Sequence, residues 1–441
     1  MATGFTQLSV CLLAGIAVII LLTARFQIHA FFALLIACFV VGIGVQMPVA
    51  DIVNTVKDGF GNILKSLGLI IVLGTTLGIL LEHTGSTKVM ASFILKLTGE
   101  KNAAWAMSLT GFIVGMPVFC DSGFIVLNGI NKSLAKRANI SVVITTVSLS
   151  TGLYAVHCLI PPHPGAAAAA GIIHVDFGKL MLVGIIAALP GMIAGNWWAN
   201  FIGRKTPFIA AAENIIEAVT HKPPSVIKAF LPVIVPVILI AIRSFLSIEK
   251  SAQGWSVFLN FLGEPVIALA AGVLLAFNCG NAWTKPIISR QLQESAEKAG
   301  GILVIIGAGG AFGAILAATK IGEQFSAVLP LHTLGLLFPF LITFILKTAQ
   351  GSSTVAIITA ASIVQPLLPA LGLQTDNEKL LCVLSMGAGS MMISHANDAY
   401  FWVIAKFAGL NTKTMLKVYS TATIIMGLIT LLMVFLLSLI L

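Results

Sequence analysis

Four polar stretches interrupt the most apolar parts of this 441-residue chain, and they fall into two sets. In the first set, GMPVFCDSGFIVL (115–127) and QGSSTVAII (350–358) combine glycine or proline with groups that can bind a proton or a substrate. The candidate residues of this set are Asp121, Ser122, Gly123, Ser352, Ser353 and Thr354. A broken helix also exposes backbone N–H groups at a new N-terminus, and these attract an anion without a fixed positive charge.

The second set consists of HCLIPPHPG (157–165) and SHANDAY (394–400). Prolines break the former because each one removes a backbone donor and clashes with the preceding turn. The candidate residues of this set are His157, His163, Ser394, His395, Asn397 and Asp398. Ionisable residues at membrane depth are costly and by default mark a functional pathway. The candidates for carrying a proton are Asp121, His157, His395 and Asp398.

Each of these residues also has a structural interpretation. The two aspartates could cap broken helix ends, the histidines could make buried hydrogen bonds, and the hydroxyls could bond back to helix carbonyls. Glu82 and Lys347 lie near the ends of apolar segments, where their charges are expected to reach the membrane interface.

The elements that carry these residues are predicted to be transmembrane helices. Hydrophobic residues make up 58% of the chain and charged residues only 9%, against roughly 25% charged in a soluble domain. Apolar runs long enough to cross a bilayer, about 20 residues, recur from one end to the other. The sequence therefore predicts an all-α polytopic membrane protein with about 10 to 12 transmembrane helices.

The basic residues predict the orientation of the chain. The 25 Lys and Arg residues exceed the 16 Asp and Glu residues, and many of them lie in short loops between apolar runs. This pattern is typical of cytoplasmic loops and does not indicate nucleic-acid binding. Three basic loops, 131–141, 203–228 and 281–300, are therefore placed in the cytoplasm.

The two halves of the chain share landmarks in the same order. GTTLGILLEHTG from Gly74 resembles GAFGAILAATKIG from Gly310, and each is followed by one stretch of each polar set. A basic loop follows the first break and the acidic LQTDNEKL follows the second, which indicates inverted repeats. The predicted transport core comprises 66–175, with a re-entrant hairpin near 102–131, and 300–411, with a hairpin near 332–372. Scaffold helices fill 1–65 and 176–299, and a last helix fills 412–441.

At these residues the sequence resembles the gluconate permease family, bacterial inner-membrane symporters for gluconate, related sugar acids and D-serine. HCLIPPHPG and SHANDAYFW carry the resemblance most specifically. It implies two inverted repeats, an elevator-type core and scaffold, and a homodimer. Family members commonly read Phe-Phe-Glu-Val-Gly-Phe where this chain reads FCDSGF (119–124), with the acid one methylene shorter. This change is expected to affect the choice of substrate more than the mechanism.

The predicted function is proton-coupled symport of gluconate or a related small hydroxylated carboxylate across the inner membrane. The alternatives are sodium coupling, a different small substrate such as D-serine or glycerate, a channel, and a membrane-embedded enzyme. The sequence contains no GxxxxGK[ST], HExxH or GxSxG motif that would indicate ATP drive or enzymatic chemistry. The expected partners are an organic anion, a proton or sodium ion, the lipid bilayer and a second copy. No cofactor, metal or nucleic acid is indicated.

Overall fold

The computed structural model describes residues 5–99, 102–206, 223–246, 255–280, 283–321, 324–325 and 331–441, and these contain no β-strand. The helices of the first half are α1 (Phe5–Ile20), α2 (Ala30–Gly44), α3 (Val49–His83), α4 (Ser86–Thr98), α5 (Ala103–Gly115), α6 (Cys120–Arg137), α7 (Val142–Leu159), α8 (Pro164–Ile173) and α9 (Phe177–Arg204). Those of the second half are α10 (Val226–Leu246), α11 (Trp255–Leu262), α12 (Pro265–Phe277), α13 (Lys285–Ala318), α14 (Leu337–Gln350), α15 (Ser353–Val364), α16 (Asp376–Met391), α17 (Ala399–Ala408) and α18 (Thr421–Leu437).

The prediction of an all-α polytopic membrane protein is confirmed. Within the described residues, 8 helical segments are long and apolar enough to cross a bilayer, or up to 9 if the bent pair α11 and α12 forms one span. That number is below the expected 10 to 12 because four further apolar helices, α2, α5, α14 and α17, have only 10–17 residues. Short helices of this kind need protein around their ends, since lipid cannot satisfy the terminal backbone groups.

Two long helices, α3 with 35 residues and α13 with 34, pack along each other. Glycines allow their backbones to meet, because a Cβ atom on Gly59 would lie 2.7 Å from the carbonyl oxygen of Gly310. The segment 281–300 is helical from Lys285 onward, where α13 begins, so it is not a loop there, and its cytoplasmic placement stays a prediction. The predicted unit limits at 65/66 and 299/300 fall inside α3 and α13. Most of the basic segment 203–228, namely 207–222, lies outside the described residues, as do 281–282.

The first-set stretches connect two pairs of helices, which we call the first helix pair (α5 and α6) and the second helix pair (α14 and α15). In the first helix pair, Met116–Phe119 joins the two helices, and Pro117 in this connection lacks a backbone donor. In the second helix pair, α14 ends at Gln350 and is capped by Gly351, whose φ of 85° suits glycine. Their positions match the predicted hairpins. That they re-enter the membrane from one side stays a prediction.

The second-set stretches separate α7 from α8 and α16 from α17. The 18 residues of α7 are all buried, and the helix ends at Leu159, two residues before Pro161. Beyond each break lies a ten-residue helix, α8 in the first half and α17 in the second. The same order of a long helix, a helix pair and a broken helix thus occurs twice. This order agrees with the predicted repeat, whose inverted orientation stays a prediction.

Candidate substrate and ion site

The N-termini of four helices, α6, α8, α15 and α17, lie in the four polar stretches and are brought together in the interior. Gly165 in the first turn of α8 packs against Thr354 in the first turn of α15, where an added Cβ atom would lie 3.3 Å from the Thr354 Cα. The ring of Phe119, just before α6, lies 6.2 Å from that of His163, just before α8. Phe124 of α6 and Tyr400 of α17 have ring centroids 6.4 Å apart. Partial positive charges from several helices therefore meet in one region.

The four N-termini differ in how their N–H groups are satisfied. Ser352 caps α15 by accepting from the Val355 N–H, and Asp398 caps α17 by accepting from the Tyr400 N–H at 3.0 Å. In contrast, α6 is preceded by Phe119, whose apolar side chain cannot accept a hydrogen bond. The His163 imidazole before α8 contacts the carbonyl oxygen of Gly115 at 2.6 Å instead of its own helix. The first turns of α6 and α8 are therefore the better positions for an anion.

Two histidines link the first helix pair to the second. The ring of His163 lies 5.0 Å from that of His157, and His157 Nε2 lies 3.5 Å from the Thr354 hydroxyl. His157 is buried within α7, where Tyr154 stacks against it at 6.3 Å. Among the described residues, nothing forms a hydrogen bond with His157 Nδ1. A buried imidazole nitrogen without a partner is costly, so a ligand atom placed there would be stabilised.

Asp121 is half-buried in the first turn of α6. The Cys120 thiol donates to its Oδ1 at 3.5 Å, a long and weak contact. Asp398 and Lys298 are close enough to interact with Asp121 electrostatically. The neighbouring Ser122 interacts with the Glu82 carboxylate at the end of α3. Glu82 therefore faces the first turn of α6, and its position at the membrane interface stays a prediction.

Gly123 and Ser353 are buried beside these groups. An added Cβ atom on Gly123 would lie 2.9 Å from a Leu153 methyl carbon, so this glycine lets α6 pack closely against α7. Ser353 begins α15 and is 7% exposed. The structure thus brings Thr354 to His157 and Phe119 to His163, and that the first-set residues form one binding site with these histidines stays a prediction.

The second helix pair holds an ion pair in the protein interior. Lys347 is fully buried, and its Nζ donates to Asp398 Oδ2 at 2.8 Å and to the Gly351 carbonyl oxygen at 2.7 Å. The Ser394 hydroxyl donates to the same Asp398 oxygen. The expectation that Lys347 reaches the membrane interface is wrong, because the end of α14 packs against the break between α16 and α17. Its partner lies 51 residues away along the chain.

His395 and Asn397 bind the carbonyl end of α14. His395 Nε2 lies 3.1 Å from the Thr348 carbonyl oxygen, and Asn397 Nδ2 donates to the same oxygen at 2.8 Å. The last carbonyls of a helix have no partner within it, so these contacts act as a C-terminal cap. His157 and His395 do not occupy matching places, since His157 lies inside α7 and His395 lies beyond the end of α16. The matching residues are His163 and Asp398, each directly preceding the second helix after a break.

Several residues of the site are absent from the sequence-based candidates. Within the described part of the chain, both amide atoms of Gln350 and the hydroxyl of Thr348 are buried without a hydrogen-bond partner. All 3 tyrosines of the chain, Tyr154, Tyr400 and Tyr419, pack together with ring centroids 5.8 to 6.4 Å apart. The position of Gln350 next to Gly351, in the first-set stretch 350–358, is a sequence signal that would mark it as a candidate site residue. The tyrosines lie in separate helices and give no local signal.

With this geometry established, comparisons with known proteins identify the family. The chain matches the family described as GntP family permease over residues 7–440. The chain belongs to this family. It is 34% identical over 434 residues to a gluconate permease from Pseudomonas aeruginosa, with 96% of each chain covered. It is 31% identical over 436 residues to the D-serine transporter DsdX from Escherichia coli O6:H1, with 97% of each chain covered.

A solved structure extends the comparison to the fold. The Alcanivorax borkumensis YdaH transporter matches with a TM-score of 0.67 over 88% of each chain at 15% identity, a likeness of fold alone. Membership in the GntP family establishes that the chain is a membrane transporter and not an enzyme. It is a multi-pass protein of the bacterial inner membrane. The resemblance inferred from HCLIPPHPG and SHANDAYFW is confirmed.

Proposed function

We propose that this chain imports gluconate or a related small hydroxylated carboxylate together with a proton. The proposal rests on one observation, which is the position of hydrogen-bonding groups that lack a protein partner among the described residues. Asp121 lies in the first turn of α6, which has no side-chain cap, and the ring of His163, just before α8, lies 5.0 Å from that of His157, whose Nδ1 has no partner among the described residues. Relatives that are named gluconate permeases support a sugar acid as the substrate class.

The substrate carboxylate would bind to the N–H groups of α6 and α8, where the helix dipoles favour negative charge. The Lys347 ammonium is already committed to Asp398 and Gly351, so it is not the anion's partner. Hydroxyl groups of the substrate both donate and accept. They would satisfy His157 Nδ1 and the Gln350 amide, each of which is costly to leave unpaired.

Asp121 would couple the proton to the substrate. A substrate carboxylate bound at the start of α6 would lie close to the Asp121 carboxylate, and two like charges repel strongly away from water. A proton that neutralises one of them makes binding favourable, and by linkage the bound substrate makes proton uptake favourable. Of the four coupling candidates, Asp398 is held by three hydrogen bonds and His395 by the end of α14. Asp121 and His157 are therefore the preferred pair.

Transport would proceed by movement of a core that contains both helix pairs and both broken helices. We place the scaffold among the remaining helices, including a dimer contact with a second copy, by analogy with the inverted-repeat architecture. An apolar cavity supports this division, because it lies between Met116, Pro117 and Pro161 on one side and Met181, Val233 and Pro236 on the other. An apolar boundary forms few hydrogen bonds that movement would have to break.

A second candidate substrate is a small hydroxy amino acid such as D-serine. The similarity to a D-serine transporter favours it, and so do two carboxylates near Ser122, since Asp121 precedes Ser122 in the chain and Glu82 interacts with it. Such a pair could bind the ammonium group of a zwitterion. A sugar acid lacks this group, so the two candidates predict different uptake by the same preparation.

Uptake into proteoliposomes tests both proposals. The purified protein would be given labelled gluconate, other aldonates, glycerate, D-serine and lactate, under an imposed proton gradient or an imposed sodium gradient. We expect a sugar acid to accumulate with the proton gradient and to stop accumulating when a protonophore is added. Accumulation that needs sodium, or that is the same with and without the imposed proton and sodium gradients, would overturn proton coupling. Accumulation of D-serine alone would replace the first substrate by the second.

A further inference from the structure

The second helix pair surrounds the Lys347 ammonium with the kind of oxygen atoms that bind a metal cation. The Gly351 carbonyl oxygen lies 2.7 Å from Nζ and Asp398 Oδ2 lies 2.8 Å from it. Ser394 completes the group through its bond to the same carboxylate oxygen. The Lys347 side chain is fully buried and that of Asp398 is 8% exposed, so this positive charge is held away from water.

This group lies at the kind of position where transporters with interrupted helices bind a coupling cation. Where transport helices are interrupted, carbonyls at the C-terminal end of a half-helix and unwound backbone bind Na⁺. Gly351 is the C-terminal cap of α14, and Asp398 belongs to the unwound segment between α16 and α17. Lys347 lies four residues before Gly351, so its side chain reaches the carbonyl end of its own helix, where positive charge is favourable.

We propose that the Lys347 ammonium is a tethered cation that takes the place of a free sodium ion in the second helix pair. A permanently attached charge satisfies Gly351 and Asp398 in every step of the cycle. A sodium ion then finds no vacant set of oxygen atoms at this position. The protein also needs no sodium ion to hold the second helix pair against the break between α16 and α17. This inference deepens the proposed function, because a position filled by Lys347 leaves the proton as the coupling ion. Only this consequence for transport rests on the proposed function.

The Gly351 backbone beside this ammonium packs tightly against the break between α16 and α17. A Cβ atom on Gly351 would overlap the Asn397 backbone, so the connection of the second helix pair is pressed against the break. Truncation of Lys347 would remove the ammonium but leave the carbonyl, the carboxylate and the hydroxyl in place. Such a set of oxygens around an unpaired buried charge would attract a small cation from solution.

Thermal unfolding of the purified Lys347→Ala variant tests the inference without any substrate. The variant and the wild type would be heated in detergent with sodium chloride or choline chloride at equal ionic strength. We expect the unfolding temperature of the wild type to be the same in both salts. That of Lys347→Ala should be lower in choline and rise saturably with sodium, by about 2–5 °C. Ethylammonium, which resembles the missing side-chain end, should produce a similar rise.

Two control variants separate this effect from a general response to salt. Lys347→Arg keeps a tethered charge and should show no sodium response. Arg243→Ala removes a basic residue of α10 that pairs with Glu264 while 38% exposed, and it should show none either. A sodium response in Arg243→Ala equal to that of Lys347→Ala would contradict the assignment of a specific cation position.

Two results would overturn the inference directly. One is a saturable stabilisation of the wild type by sodium, and the other is a folded Lys347→Ala that responds to neither cation. If Lys347→Ala does not fold, binding of radioactive sodium to the wild type decides, since saturable binding contradicts a tethered cation and its absence supports one. These measurements need no transport, so failure of proton-driven uptake would leave their outcome intact.

Discussion

The two helix pairs hold their charges in opposite ways. In the first helix pair the carboxylate of Asp121 is half-buried, and it accepts a long contact from the Cys120 thiol. In the second helix pair the carboxylate of Asp398 is buried and bonded to Lys347, Ser394 and the Tyr400 N–H. The connection of the first helix pair leaves α6 without a side-chain cap from Phe119, whereas Ser352 caps α15.

This contrast indicates that the first and second helix pairs have different roles, although their arrangements are similar. A charge that is already neutralised by a neighbour changes little when a ligand arrives, whereas a carboxylate without a cationic partner in contact responds strongly. We therefore expect the second helix pair to provide a fixed, rigid half of the site. The first helix pair would provide the half that senses the proton and the substrate. Variants in the two helix pairs should accordingly differ in whether they affect stability or coupling.

The largest expected effect is on stability, from Lys347→Met. Removal of one partner from a buried ion pair leaves an uncompensated charge, and this typically costs about 3–5 kcal/mol. Unfolding in sodium-free detergent would measure it. Replacing both partners, as in Lys347→Met with Asp398→Leu, should recover much of the loss. A single variant as stable as the wild type would show that the ion pair does not fix the second helix pair.

The next effect is on coupling, from Asp121→Asn in the first helix pair. The amide cannot exchange a proton, so gradient-driven accumulation should fall by about tenfold or more while substrate exchange across the membrane continues. Asp121→Glu should keep accumulation. Thr354→Val changes the second residue of α15, as Asp121 is the second residue of α6, and should weaken binding without loss of proton drive. If accumulation by Asp121→Asn is unchanged, Asp121 is not the coupling acid.

Gln350→Leu is expected to have a smaller effect, which is a loss of substrate affinity. Both amide atoms of Gln350 are buried without a partner among the described residues, so the apolar replacement should not lower the stability of the empty protein. Substrate affinity should fall by about tenfold because the amide can no longer satisfy substrate hydroxyls. Substrate-induced stabilisation, measured by thermal unfolding over a concentration series, gives both quantities. An unchanged affinity would remove Gln350 from the site.

The smallest effect lies outside both helix pairs, at the start of α16. Hydrogen bonds from Thr375 and Gln374 lower the pKa of the Glu378 carboxyl, which closes a capping box with Thr375. A lowered pKa means that ionised Glu378 stabilises the folded state above the ordinary carboxyl range, and that this contribution is lost as pH falls through the lowered value. Glu378→Gln should lower stability by less than about 1 kcal/mol at neutral pH. The difference from wild type should vanish at low pH, as measured by unfolding at several pH values.

The positions of the helix breaks could be predicted from local sequence. Pro161, Pro162 and Pro164 cannot continue a helix, and Gly351 suits the left-handed backbone at the end of α14. The length of α13 was not predicted, because its first four turns carry charges that resemble those of a loop. Those charges lie on an exposed helix face, as the Lys298 and Glu294 pair shows. Single-sequence reasoning separates exposed helix from loop poorly when both are polar.

The roles of individual polar residues were harder to predict than their presence. His395 and Asn397 are polar residues in a break, as the sequence shows. In the structure their side chains contact the Thr348 carbonyl oxygen at the end of α14. Lys347 lies near the end of an apolar segment, and this position predicts a place at the membrane interface. Its buried partner lies 51 residues away, in a segment that approaches it only in the folded chain.

By itself, the sequence determined the class of protein, the four breaks and the family, because composition, proline chemistry and specific motifs are local properties. Only the tertiary structure decided which broken ends meet, which carboxylate is paired and which polar atoms remain without a partner. Those properties depend on contacts between residues far apart in the chain, such as Tyr154 with the Ser390 carbonyl oxygen, 236 residues away. In a membrane interior each such contact matters, since no water is present to satisfy the groups that are left unpaired.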